Sequence, residues 1–226
     1  MEDVRLLLYP LGFLSAIPFL LRFLIQWWAS EQAQRSVVPP LFWKLSLLGN
    51  GLLMLHGCVQ LQFHVSLLQS INGVISWRNL NLAKSGDSRR SFPFVTLMMG
   101  CAAISIWLIF LFQGYIGNEF VWMRTPSTST HEALHPIWHY AGTIGLVLFA
   151  SRFWIQWWQA EMRQESQLTP LFWWISLIGA FLSCLYFFKI HDPVNFLGPG
   201  IGLFTYIRNL TFIRRSRYYP QGSLDD

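Results

Sequence analysis

Long apolar runs alternate with short polar breaks along the whole chain. Crossing a bilayer takes about 20 apolar residues in a helix. Seven runs reach that length, at roughly 6–29, 40–60, 62–83, 92–115, 136–160, 170–189 and 193–213. The breaks are polar or carry proline: EQAQRSVVPP, KSGDSRRSFP, GNEFVWMRTPSTSTHEALHP, EMRQESQLTP and KIHDP. One break, QLQFH between the second and third runs, is weak and marks its boundary poorly. The pattern predicts an all-α integral membrane protein with seven transmembrane helices.

The same pattern occurs twice. Shifted by 130 positions, the chain aligns on itself without a gap from Arg22 to Leu80. Arg22, Phe23, Ile25, Gln26, Trp27, Trp28 and Glu31 meet Arg152, Phe153, Ile155, Gln156, Trp157, Trp158 and Glu161. Pro40, Leu41, Phe42, Trp43, Ser46 and Gly49 meet Pro170, Leu171, Phe172, Trp173, Ser176 and Gly179, and Arg78–Asn79–Leu80 meets Arg208–Asn209–Leu210. An internal repeat of this quality outweighs other sequence signals. Each copy holds three runs, with 92–115 between them. Three runs of one copy plus the run between make four, an even number, which gives both copies the same orientation, a 3+1+3 plan of parallel repeats with the design of some transporters. The expected divisions are 1–83, a linker with one span at 84–133, 134–213, and a cytoplasmic tail at 214–226.

Composition agrees. Hydrophobic residues make up 53% of the chain and charged residues 12%, against about 25% charged in soluble domains. The net charge of +5 matters by its placement. Arg35, Lys84, Arg89, Arg90, Arg163, Arg214, Arg215 and Arg217 fall on one side of the expected topology, and Arg5, Arg124 and Lys189 on the other. The excess predicts a multi-pass topology with the N-terminus outside, the C-terminus inside and an odd number of spans. No basic face with interleaved aromatics suggests nucleic acid. Cys58, Cys101 and Cys184 have no paired spacing and are expected to be buried small hydrophobes. The first run carries Pro10, Pro18 and Arg22 and matches a later one, so it is expected to belong to the fold and not to a cleaved leader.

The candidate chemistry sits on the duplicated helices. Arg22 and Gln26 are four apart and share a helix face, as do Arg152 and Gln156. A charge at the centre of a span costs roughly 2.5–3.5 kcal/mol on insertion scales. Two readings follow: arginines that snorkel toward the interface while glutamine bonds a neighbouring helix, or an anion site inside the bundle. Arg78 with Asn79 and Arg208 with Asn209 lie near the ends of the third and seventh runs, where they either anchor the helix or add guanidinium forks for a phosphate. Trp27 and Trp157 are candidate stacking surfaces for a sugar ring. With Trp28, Trp43, Trp158 and Trp173 they also fit an interfacial aromatic belt. Glu31 and Glu161 are expected to be solvated or paired to a nearby arginine. The six histidines form no metal cluster. No Ser–His–Asp set, intramembrane carboxylate pair or P-loop is present, so neither a cofactor nor catalysis by the chain alone is expected.

The motifs R-F-x-I-Q-W-W-x-x-E, P-L-F-W-x-x-S-L-x-G, K-I-H-D-P-V and Y-I-R-N-L resemble the lipid A biosynthesis N-terminal domain family. The likeness covers both repeats, and repeat two is the fuller match: repeat one has Gln62–Phe63 where repeat two has Asp192–Pro193. The family is in turn similar to the triple-helix units of PQ-loop and SWEET sugar transporters. The resemblance implies a SWEET-like arrangement and a role in lipopolysaccharide metabolism at the inner membrane. It does not imply the reaction of lipid-A-disaccharide synthase, whose glycosyltransferase domain is absent from these residues, although homology attaches that enzyme's name.

Three functions follow. The chain could bind and translocate an anionic lipid-linked sugar or lipid phosphate, using Arg22, Arg78, Arg152 and Arg208, with Gln26 and Gln156 orienting it. It could be a non-transporting anchor or partner of a lipid A glycosyltransferase. It could be a SWEET-like sugar transporter, which ranks last because a neutral sugar does not call for four arginines.

Overall fold

A computed structural model describes residues 5, 7–8, 10–84, 90–122, 136–189 and 193–218. Asp192, Arg89 and Arg124 lie outside the described residues. Seven helices are described: α1 Pro10–Ala33, α2 Pro40–Val59, α3 Phe63–Leu82, α4 Phe92–Gly117, α5 Pro136–Arg163, α6 Pro170–Lys189 and α7 Pro193–Tyr218. Every expected apolar run is therefore helical, and no strand occurs among the described residues. Three helical stretches, Gly12–Ala33, Phe92–Gly117 and Pro170–Lys189, are long and apolar enough to cross a membrane by length and composition.

Proline opens five of the seven helices. Its missing N–H would have no intrahelical partner at that position, and its fixed φ suits the first turn. Several helices stop on a left-handed residue: Gln34 (φ 50°), Leu61 (φ 57°), Asn118 (φ 53°) and Gln164 (φ 52°). After α2, the Gln62 N–H reaches back to Gly57 O at 2.8 Å, closing a Schellman-type end around Leu61. Glycine usually takes that place. Leucine accepts about 1–2 kcal/mol of backbone cost there and in return is buried against Ile106 and Phe110 of α4. This turn is the weak break QLQFH.

The chain forms two compact units, residues 1–22 with 40–129 and residues 23–39 with 130–226. The division runs through α1, between Arg22 and Phe23. In the first unit α2 packs on α3, and α3 on α4. Gly49 leaves room for the Phe19 ring, which would stand 2.7 Å from an added Cβ. In the second unit α6 packs on both α5 and α7. Gly179 faces backbone there: a Cβ would meet Phe149 N at 2.8 Å.

The two copies have matching interiors. Phe42 and Trp43 are buried edge to face, with centroids 4.9 Å apart, and Phe172 and Trp173 repeat the arrangement at 5.1 Å. Trp43 and Trp173 are each 1% exposed, which removes both from the interfacial belt. The helix face they share with Ser46 and Ser176 is the one that packs inward, whereas Trp28 and Trp158 are exposed. Cys101 departs from expectation too, being exposed, while Cys58 is half-buried and Cys184 buried. Its helix, α4, also exposes Leu97, Ile104, Trp107, Leu108, Phe112 and Ile116. An apolar face of that extent suits lipid and not water.

Candidate functional site

The duplicated Arg–Gln helices present one face inward in each copy. Arg22, Gln26 and Ser30 are buried, as are Arg152, Gln156 and Ala160, at the four-residue spacing that stacks side chains on a helix. The local bonds repeat closely. Trp27 Nε1 donates to Glu31 Oε1 at 3.1 Å and Trp157 Nε1 to Glu161 Oε1 at 3.0 Å. Gln26 Nε2 donates to Val37 O at 3.2 Å and Gln156 Nε2 to Gln167 O at 3.3 Å. These bonds tie the loop after each helix back onto it.

The second unit holds a denser polar network. Gln26 Nε2 donates to Asn209 Oδ1 at 2.8 Å, and Asn209 Nδ2 returns a bond to Gln26 Oε1 at 3.1 Å. Ser36 Oγ adds a bond to Asn209 Oδ1 at 2.7 Å. Both amides are fully buried, so their donors and acceptors must be met within the protein. One turn away, Arg208 grips Glu31 through Nε and NH2, the latter at 2.7 Å from Oε2. Phe23 and Trp27 pack edge-on against Tyr206 and Phe204. Gln26, Trp27, Arg208 and Asn209 are thus brought together.

The two buried arginines Arg22 and Arg152 differ. Arg22 is 5% exposed; its NH1 donates to Ser46 Oγ at 3.0 Å, and its guanidinium lies 4.6 Å from the centre of the Phe19 ring. Arg152 is 3% exposed and its guanidinium carbon lies over Phe149, 3.3 Å from the ring centre. Its NH1 has no hydrogen-bond partner among the described residues. In the same unit the ring of Tyr206 has its centre 6.1 Å from that of Trp173. Trp173 Nε1 is also buried without a partner among the described residues. Cation–π contact offsets part of the cost of burying a guanidinium, but it leaves N–H donors unmet. Donors in this state, held near a positive charge, suit an anionic oxygen.

Arg78 is engaged by its own unit. It is 1% exposed, and its NH1 donates to Asn81 Oδ1 at 2.9 Å and to Arg90 O at 2.6 Å. Asn81 Oδ1 also accepts the Arg90 N–H at 2.8 Å, so this arginine fastens the end of α3 to the approach of α4. Asn79 donates to Ile75 O at 2.9 Å, as Asn209 does to Thr205 O at 2.8 Å. Sequence reasoning missed Ser36, Ser46, Trp173 and Tyr206 as members of these clusters. The duplication of Ser46 and Trp173 was the available signal. Ser36, which recurs as Ser166, and Tyr206, which opens the Y-I-R-N-L motif, also carried a signal, but their partners are remote in the chain. Among the described residues no group of His, Cys, Asp and Glu can hold a metal ion.

A family model described as Lipid A Biosynthesis N-terminal domain matches the chain twice, at residues 11–81 and 141–211. The chain belongs to this family. Each matched copy of the domain contains one Arg–Gln helix and one Arg–Asn pair. The lipid-A-disaccharide synthase of Chlamydia pneumoniae is 40% identical over 95% of this chain and 35% of its own length. The Chlamydia abortus synthase is 39% identical over 93% of the chain and 34% of its length. That of Chlamydia trachomatis serovar D is 34% identical over 96% and 36%. The chain therefore spans about a third of the length of the curated relatives it matches. No solved structure matches it.

Proposed function

We propose that the chain is a seven-span inner-membrane module of lipid A biosynthesis that binds, and translocates, an anionic lipid phosphate or lipid-linked sugar. Its N-terminus is periplasmic and its C-terminus cytoplasmic, following the cation bias of the loops. Arg152 is the principal anion contact, with Trp173 Nε1 as a second donor. The observation that carries this reading is the buried Arg152 NH1 without a partner among the described residues. Arg22 has the same role in reduced form, because Ser46 already accepts from it. Arg78 and Arg208 serve chiefly as fasteners, through Arg90 O and Glu31 respectively. The test is translocation of a fluorescent short-chain lipid phosphate in liposomes that hold the purified chain. Arg152→Gln is expected to abolish it, and Arg22→Gln to weaken it. Full transport by Arg152→Gln would remove the arginine from the role.

A second reading is favoured by the comparisons. The matched relatives are synthases about three times as long, so the module would act as the membrane seat of a lipid A glycosyltransferase. Co-purification with such an enzyme, without any lipid movement in liposomes, would select this reading over transport.

A further inference from the structure

The first unit contains a cavity of about 370 Å³ between the start of α2 and the end of α3. It is lined by Pro40, Lys44, Trp77, Leu80, Asn81, Ala83 and Lys84. Both lysines are exposed. They come from different elements, Lys44 from the second turn of α2 and Lys84 from just beyond α3. Lys44 makes no hydrogen bond or ion pair among the described residues. Asn81 is held in place from below, since its Oδ1 accepts from Arg78 NH1 at 2.9 Å and from Arg90 N at 2.8 Å.

We propose that this cavity binds the phosphate of an anionic phospholipid, between Lys44 and Lys84, with the upper acyl chain along Trp77 and Leu80. A small soluble anion would use the two ammonium groups and leave the apolar wall without purpose. An amphiphile uses both. Lysine stems lie well along apolar surface with the charge at the headgroup level, and tryptophan is suited to the same depth. The second copy has no counterpart: the positions equivalent to Lys44 and Trp77 are Trp174 and Ile207, both exposed and apolar. Pro40, Leu80 and Lys84 keep their character there, as Pro170, Leu210 and Arg214. The difference is thus confined to Lys44 and Trp77, one of the two charges and the aromatic ring of the cavity. This site is separate from Arg152 and stands whether or not that arginine binds an anion.

The test is native mass spectrometry of the full chain with 1-palmitoyl-2-oleoyl phosphatidylglycerol against the phosphatidylcholine of the same chains, with inorganic phosphate as competitor. With the Arg152 site removed from the count by Arg152→Gln, the chain is expected to retain one phosphatidylglycerol in preference to phosphatidylcholine. Lys44→Gln with Lys84→Gln should reduce that preference by about tenfold or more, since each lysine near an anionic headgroup contributes severalfold. Each single substitution should give part of the loss, and either can be read if the pair together fails to fold. Arg214→Gln with Arg215→Gln removes equal charge elsewhere and should leave the preference intact. An undiminished preference in the lysine variants would overturn the proposal, as would an equal loss in the arginine control. Displacement of the lipid by millimolar inorganic phosphate would overturn it in favour of a soluble anion.

Discussion

The two copies of the domain share a scaffold but not its polar connections. Arg22 and Arg152 occupy equivalent positions, are both buried and lie over the equivalent rings Phe19 and Phe149, yet Arg22 NH1 donates to Ser46 whereas Arg152 NH1 has no partner among the described residues. Ser176 is present in the second copy and donates to Phe172 O at 2.6 Å, as Ser46 does to Phe42 O at 2.7 Å. The difference therefore comes from the arginine's conformation and not from loss of an acceptor. Arg78 and Arg208 diverge for a clearer reason. Asn81 offers Arg78 an amide oxygen, whereas the equivalent Thr211 spends its hydroxyl on Ile207 O at 2.9 Å. Without that oxygen Arg208 turns to Glu31 and stays part-exposed. The repeats show that duplicated cations keep their place through packing, while their roles follow from one or two neighbours.

The largest expected break in this comparison is at the second arginine pair. Arg78→Ala removes a buried charged donor from two acceptors and should lower stability by about 3 kcal/mol. Arg208→Ala should cost much less, because its ion pair with Glu31 is part-solvated. Unfolding of the two variants in mild detergent by added denaturing detergent compares them directly, and equal losses would contradict the assignment. Next in size is the glycine pair. Gly179→Ala drives a methyl against Phe149 N, which is backbone and cannot yield, and should cost about 1–3 kcal/mol. Gly49→Ala meets the Phe19 ring, which can swing aside, so its loss should be smaller in the same assay. The smallest effect is at the serines. Ser46→Ala deletes the acceptor of Arg22 NH1 and should cost about 1 kcal/mol, whereas Ser176→Ala should fall below that. If Ser176→Ala proved the costlier, Arg152 would be engaged with it, and the argument for an anion there would weaken.

The helices were legible because their hydrophobic runs are long and proline or a polar cluster punctuates nearly all of them. The turn at Leu61 was not, since leucine carries no local preference for a left-handed backbone and is placed there by burial against Ile106 and Phe110. The polar residues of the candidate site were legible as individuals, because Arg22, Gln26, Arg152 and Gln156 recur at fixed spacing in apolar surroundings. Their connections were not. Nothing in the sequence near Gln26 points to Asn209, and nothing near Glu31 points to Arg208. Such bonds depend on which helices meet, which a repeat does not reveal. Trp43 and Trp173 illustrate a different limit: a tryptophan near the end of an apolar run reads equally as an interfacial anchor or as core, and only packing decides.

The bond between Gln26 and Asn209 also has a consequence for biogenesis. Gln26 leaves the ribosome early, and Asn209 belongs to the last helix described. Until Asn209 is made, the Gln26 amide can bond only its surroundings or its local partners, Ser30 at 3.0 Å and Val37 O at 3.2 Å. The reciprocal pair closes only when α7 arrives. A product that stalls before α7 would carry on α1 an amide without its reciprocal partner, a mark by which quality control could tell it from a chain that includes α7.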